Sequence, residues 1–308
     1  MSSVPGNPLA VPRAPGPALA WWLALRPWSF TISLAPVLAG TSLAAFDGYP
    51  AHLGLFAAAL LACVFIHAGT NLQNDVGDFR RGADLAGRIG PPRATTEGWL
   101  PADHVQMAAS ACFALAFFPG AYLVAQGGWP IVGIGVASIA AGAAYTAGPR
   151  PIAYSGWGEF FVLVFFGVVA VCGMYYLQSG TTALTPLIAG AAVGLHSSAV
   201  LVVNNLRDID SDRRIGKNTL AVRCGRTFSV WEYAALMLAP FALAVAMAAF
   251  EGRALLLAPL VLLPWAVRLA GGVKRRPAGA WLNGALAQTA KLGLAFAVLL
   301  SLGAALAR

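Results

Sequence analysis

Two short stretches hold half of the twelve acidic residues of this chain: NLQNDVGDFRRGAD (71–84) and NNLRDIDSDRRIGKNTL (204–220). On a helix, at 100° per residue, Asn71, Asp75 and Asp78 fall at i, i+4 and i+7 and share one face within about 60°. Asn204, Asp208 and Asp212 fall at i, i+4 and i+8, again on one face, while Asp210 points nearly the opposite way. Each set is followed by Arg-Arg, so the pair reads as a weak internal repeat presenting two matching acidic faces. Carboxylates crowded together repel one another and are costly to desolvate, which is tolerable where cations neutralise them. Oxygen donors without Cys, and with His67 only as an outlier on the stripe, suit Mg²⁺. That ion takes one or two carboxylates, keeps waters and shares its other positions with phosphate. Arg80, Arg81, Arg88, Arg93, Arg207, Arg213, Arg214 and Lys217 complete an anion site around the acids. The chemistry implied is a metal–diphosphate complex held between two helix ends.

The elements that must position these residues are membrane helices. Of 308 residues, 58% are hydrophobic and 10% charged, against about a quarter charged in soluble domains. The segments 104–149 and 160–206 contain no Asp, Glu, Lys or Arg. Each is long enough for two spans of roughly 20 residues, with turns expected near Gln126 and Gln178. Further apolar runs occupy 27–49, the segment from 49 to 74 leading into the first acidic stretch, 233–250, 254–267 and 279–307, giving nine expected spans. The eighth, 254–267, is cut short by Arg268. Continuous Ala/Leu/Val/Gly runs without alternation indicate helices, so the fold class is an all-α integral membrane bundle. Seventeen of the 20 Lys and Arg residues fall on the side shared with the N-terminus and the two acidic stretches, which makes that side cytoplasmic. The net charge of +8 is therefore a topology signal; basic residues confined to short loops between spans do not suit nucleic acid. Charges gathered at one face, with the bundle middle nearly bare, favour a surface-opening active site over a conduit. A passive lipid binder would need the basic residues but not the aligned acids. Residues 1–19, rich in Pro and Gly, are expected to be a disordered tail without signal-peptide features. Residues 20–308 are expected to form one membrane domain. Cys63, Cys112, Cys172 and Cys224 are widely separated, with neither disulfide-framework nor metal-ligand spacing.

A lipid-embedded diphosphate with a long apolar tail is most simply a polyprenyl diphosphate. Cations at the leaving diphosphate would assist ionisation of the allylic C–O bond, and an electron-rich aromatic ring would trap the carbocation while water is excluded.

Five segments carry a family resemblance: LRPWSFTISLAPVLAG (25–40), 71–84, RIGPPR (88–93), YTAGPRPIAYSGWGEFFVLVFFG (145–167) and NNLRDIDSDRRIGKNTLAVRCG (204–225). Together they resemble the UbiA superfamily of intramembrane prenyltransferases. RIGPPR, GPRPIAYSGWGE and RDIDSDRRIGKNTL are similar to the branch that prenylates 1,4-dihydroxy-2-naphthoate in menaquinone synthesis. The resemblance implies that Asn71, Asp75, Asp78, Asp208 and Asp212 bind Mg²⁺ and, through it, diphosphate, with Asp75 and Asp208 carrying catalysis. Asp75 and Asp78 stand one residue closer than the spacing seen in many relatives, so Asp78 and Asp84 are alternatives for the outer ligand. Arg26 matches an Arg-Pro pair and joins Arg80, Arg81, Arg88, Arg93, Arg207 and Lys217 as the diphosphate set. Tyr145 and Tyr154, flanking GPRP, are assigned to the acceptor together with Asn74 and Asn205.

The resemblance further implies transfer to dihydroxynaphthoate with loss of CO₂ and diphosphate. Its setting would be a bacterial cytoplasmic membrane, with the site opening to the cytoplasm and no obligate protein partner. Another aromatic acceptor, such as 4-hydroxybenzoate or homogentisate, is the alternative. Glu159 at the start of a span and His196 within one read first as structural residues; Lys291, an ionised group in mid-span, is a functional candidate by default but carries no motif and is left out of the site.

Overall fold

The computed structural model describes residues 15–82 and 89–307. These are helical throughout, with no strand among the described residues. In chain order the helices are α1 (Pro17–Leu25), α2 (Thr31–Phe46), α3 (Leu53–Arg80), α4 (Ala102–Leu115), α5 (Phe117–Gly127), α6 (Trp129–Ala144) and α7 (Gly158–Leu163). They continue as α8 (Ala170–Ser179), α9 (Leu184–Arg207), α10 (Ile209–Arg214), α11 (Leu220–Glu251), α12 (Leu263–Arg275) and α13 (Trp281–Leu306). A π-helical turn, Val164–Val169, joins α7 to α8, and a 3₁₀ stretch, Ala254–Leu262, leads into α12.

Eight of the resulting helical stretches are long and apolar enough to cross a membrane, and the apolar helix Trp129–Ala144 is shorter. The breaks fall where the chain cannot continue a helix. Gly128 and Gly180 take positive φ at the expected turns near Gln126 and Gln178. Arg26 adopts a left-handed conformation (φ 54°, ψ 54°) between α1 and a 3₁₀ turn, Pro27–Phe30. A residue before proline is already disfavoured in the right-handed helical region, so the kink is written into Arg-Pro.

Two expectations are corrected. The tail expected over 1–19 lies outside the described residues up to position 14, but Pro17–Leu19 form the first turn of α1, where Pro17 at N1 suits a helix start. The short eighth span does not stop at Arg268. It starts as 3₁₀ at Ala254 and runs on through Arg275, so Arg268 lies exposed inside a helix. Its long stem allows the guanidinium to reach the interface.

The central post is α9. Seventy-two per cent of its apolar window is buried, against 17–56% for the other spans. It packs on α2, α7, α11 and α13 in a core that includes Leu43, Val203, Leu206, Tyr233, Met237, Leu292 and Phe296. Close approach is possible because Gly190 and Gly194 of α9 face Gly167 of the π turn. A Cβ on Gly194 would lie 2.5 Å from the Leu163 carbonyl oxygen, the small-residue packing used between membrane helices. The second acidic stretch thus leaves the most deeply buried span of the bundle among the described residues. The inner half of α3 packs in a separate cluster in which Leu72, Val76, Ala94, Leu100, Val105 and Ala109 are buried.

Candidate active site

Each acidic stretch finds its first hydrogen-bond partners close by in the chain. Asp75, fully buried, accepts from the backbone N–H of Ala94 (3.2 Å) and of Thr95 (3.3 Å) and from the Thr95 hydroxyl. Asp78 Oδ2 takes Arg93 Nη2 at 2.5 Å, with both side chains almost wholly buried. Loop residues 93–95 thereby fold over the end of α3. One turn back, Asn71 Nδ2 donates to Leu25 O (3.0 Å) and Ser29 Oγ (3.2 Å). His67 meets Ser29 Oγ at 3.3 Å and Ser33 Oγ at 2.9 Å. Asn71 and His67 therefore brace the kink that carries Arg26.

In the second stretch, Arg207 clasps Asp208 through Nε–Oδ1 (2.8 Å) and Nη2–Oδ2 (2.6 Å), and Nη2 also reaches Asn204 Oδ1 at 2.8 Å. The single helical face expected for Asn204, Asp208 and Asp212 is interrupted, because α9 ends at Arg207 and α10 begins at Ile209. Asp208 stands at the junction (φ −98°, ψ 9°), yet both i+4 backbone bonds hold, from Asp208 N to Asn204 O (3.2 Å) and from Asp212 N to Asp208 O (2.8 Å). Asp212 Oδ1 lies 3.5 Å from Lys217 Nζ, while its Oδ2 is buried without a hydrogen-bond partner among the described residues. Burial pushes the Asp212 carboxyl up to about 6; the carboxylates of Asp208 and Asp78 push the same way and Lys217 opposes them. Three acids drawn from both stretches therefore share one electrostatic environment.

Two bridges join the halves. The Tyr154 hydroxyl donates to Asp78 Oδ1 at 2.9 Å, and its carbonyl accepts from Asn218 N (3.2 Å), next to Lys217. Arg81 Cζ and Lys217 Nζ lie 5.3 and 5.5 Å from the centre of the Tyr154 ring, a cation from each stretch on one aromatic. The second bridge is Asn283, near the start of α13. Its Oδ1 accepts from Arg207 Nη1 (2.8 Å) and its Nδ2 donates to Ile89 O (3.0 Å).

The remaining sequence-derived residues divide clearly. Arg81 bonds to Thr146 O (2.6 Å) and Gly148 O (2.8 Å) and fixes the loop leading to Tyr154. Arg80, expected in the diphosphate set, points away: it pairs with Asp103 of α4 at 3.3 Å, with side chains 52% and 93% exposed. One residue along a helix turns the side chain by 100°, which separates Arg80 from Arg81. Arg88 and Asp84 lie outside the described residues; Asp78, the other alternative for the outer ligand, is buried at the site. The Tyr145 hydroxyl sits over Gly158, where an added Cβ would lie 3.4 Å from it. Asn74 Oδ1 is buried without a partner, and Asn205 Nδ2 donates to Glu159 Oε1 at 2.7 Å. Asn205 thus serves Glu159, whose other oxygen is buried and unpartnered. Thr95 and Asn283 were not expected. Nothing in the sequence marks Thr95, whereas an Asn two residues after Trp281 in an apolar run is a visible anomaly.

No three His, Cys, Asp or Glu side chains among the described residues converge into a metal cage. The donor set still fits Mg²⁺, which needs only one or two carboxylates when phosphate supplies other oxygens. The orphaned Asp212 Oδ2 is such a donor.

Comparison with known proteins gives the family and the fold. The chain is 35% identical over 212 residues to 1,4-dihydroxy-2-naphthoate octaprenyltransferase of Haemophilus influenzae, covering 67% of this chain and 69% of that one. It is 39% identical over 229 residues to the enzyme of the same name from Escherichia coli, covering 71% and 73%. A UbiA homologue from Archaeoglobus fulgidus, solved bound to DMAPP and Mg²⁺, shares the fold at a TM-score of 0.62 and 16% identity, covering 92% of this chain and 99% of that one. The description "UbiA prenyltransferase family" matches residues 33–282, a range that includes both acidic stretches and the Tyr154 bridge. The chain belongs to the UbiA prenyltransferase family.

Proposed function

We propose that the enzyme transfers a polyprenyl group from polyprenyl diphosphate to 1,4-dihydroxy-2-naphthoate, releasing diphosphate and CO₂ and giving the hydroquinone form of demethylmenaquinone. The observation that carries this reading is the pair of bridges, Tyr154 and Asn283, joining two acid–base clusters at one end of an apolar bundle. The similarity to enzymes named for that acceptor supports the choice of naphthoate.

Asp75, Asp78, Asp208 and Asp212 would hold Mg²⁺, with Asn71 beside them. Arg93, Arg207 and Lys217, each already beside one acid, would meet the diphosphate oxygens, and Arg26 at its left-handed kink would reach from the opposite helix. Bound Mg²⁺ supplies positive charge to the departing diphosphate as the allylic C–O bond breaks. The chain's part is to orient that diphosphate, to keep water from the carbocation and to offer the acceptor a place beside Tyr154 and Tyr145. The ring carbon bearing the carboxylate attacks the allylic carbon, and the carboxylate leaves as CO₂. The electron pair of its C–C bond returns to the ring.

The topology proposed is nine crossings, with α6 as the short one. The N-terminus and the site lie on the cytoplasmic side of a bacterial inner membrane, as the Lys/Arg distribution implies. One membrane domain contains the whole site.

The test is incubation of purified protein in detergent with geranyl, farnesyl and longer prenyl diphosphates. The acceptors are dihydroxynaphthoate, 4-hydroxybenzoate and homogentisate, each with Mg²⁺ or with EDTA, and products are identified by mass spectrometry. Prenylated, decarboxylated naphthol is expected with Mg²⁺ alone. Turnover confined to 4-hydroxybenzoate would overturn the acceptor, and full turnover in EDTA the metal.

A further inference from the structure

Asn283 stands just past the last residue matched by the family description, on a helix that contributes no acid to the site. Its amide is nevertheless used at both ends. The oxygen accepts from Arg207 Nη1 at 2.8 Å and the nitrogen donates to Ile89 O at 3.0 Å. Arg207 is the residue that clasps Asp208. Ile89 opens the segment that, four to six residues later, delivers Arg93 to Asp78 and the N–H groups of Ala94 and Thr95 to Asp75. A continuous path of hydrogen bonds and short backbone thus runs from Asp75 through Asn283 to Asp208. The Tyr154 path links only the outer pair, Asp78 and Asp212.

Resting on the proposed function, we infer that Asn283 is a positioning residue that fixes the spacing between the two inner acids of the diphosphate site without touching substrate. An amide is the one side-chain group of that size carrying a donor and an acceptor in the geometry needed here. Arg207 is 4% exposed, so an apolar residue at 283 would leave a buried guanidinium N–H unpartnered as well as freeing Ile89. The diphosphate must contact both halves at once, so loosening their spacing weakens diphosphate binding. The aromatic acceptor pocket, framed from Tyr145 and Tyr154, is left alone.

The experiment uses the full chain in detergent with three variants. Asn283→Ala removes both bonds. Asn283→Asp keeps the acceptor for Arg207 and removes the donor to Ile89. Gly284→Ala is the control, since a Cβ there meets nothing within 4 Å. Binding of geranyl diphosphate with Mg²⁺ is titrated without acceptor, and KM for both substrates and kcat are measured alongside. Loss of one or two hydrogen bonds to partly charged partners predicts a rise in Kd and KM for the prenyl diphosphate of about tenfold or more in Asn283→Ala. Asn283→Asp should lie between Ala and the parent, with acceptor KM within twofold throughout. Cleavage by trypsin after Arg93 should increase in both Asn283 variants and not in Gly284→Ala. Unchanged geranyl diphosphate affinity in Asn283→Ala overturns the inference while leaving the enzyme assignment standing. So does a loss that falls equally on both KM values and on kcat. Failure of the parent itself to bind geranyl diphosphate overturns both.

Discussion

Replacing Asp212 by an asparagine should stabilise the protein while disabling it. The Asp212 side chain is 8% exposed, so water screens it little, and burial together with Asp208 and Asp78 raises its carboxyl from 3.8 to about 6. At 1.36 kcal/mol per pH unit, the ionised form costs the fold about 3 kcal/mol when no cation is bound. The sign follows from proton counting. Between about pH 4 and 6 the folded chain holds a proton that the unfolded chain has released, so stability falls as pH rises through that window and levels off above it. In Asp212→Asn the side-chain amide does not ionise, and its oxygen still accepts from Lys217, so the variant escapes the loss. In EDTA at pH 7.5, thermal unfolding in detergent should give the variant a Tm several degrees higher, and the difference should shrink to near zero by about pH 4. The same variant should lose most Mg²⁺-dependent transfer, the usual cost of repairing a functional strain. A variant less stable than the parent at pH 7.5, or a difference that ignores pH, would refute the reasoning.

Three further outcomes are expected. Tyr154→Phe removes a hydrogen bond to a buried carboxylate and keeps the ring between Arg81 and Lys217, so steady-state kcat/KM for the prenyl diphosphate should fall about tenfold or more. Gly194→Val drives side-chain atoms into the Leu163 carbonyl and Gly167, and should lower stability by about 1–3 kcal/mol in thermal unfolding, while Gly284→Val should not. Arg80→Ala breaks an exposed pair with Asp103, worth at most about 1 kcal/mol, and a long exposed hydrogen bond to Gln106, so turnover should stay within twofold of the parent.

The sequence announced the acids because membrane composition makes charge rare and therefore conspicuous. Helical spacing then placed Asn71, Asp75 and Asp78 correctly on one helix, α3. Over 204–212 the spacing matches both i+4 backbone bonds but not the break at Asp208, where α9 ends and α10 begins, which nothing in the pattern shows. Grouping every Arg near the acids could not separate Arg80 from Arg81, because direction around a helix end depends on what packs there: α4 takes one and the 146–148 loop the other. Assigning Asn205 to an acceptor missed its bond to Glu159, a partner 46 residues away that only packing of α7 on α9 supplies. Thr95 acts through its N–H and hydroxyl on Asp75 and leaves no compositional trace, whereas Asn283 shows only as a polar residue in an apolar run, with nothing to name its partners.

The ordering of these contacts along the chain bears on how such a site enters a membrane. Asp75 and Asp78 meet Thr95 and Arg93 within 20 residues, and Asp208 and Asp212 meet Arg207 and Lys217 within five. Ile89 and Asn283, by contrast, are 194 residues apart. At 5–20 residues per second that separation is roughly 10–40 s of synthesis. Throughout that interval the first hairpin shields its own acids from lipid with its own loop. Each half thus carries its own local partners, and α13, made after both, adds the Asn283 link to the one Tyr154 already provides.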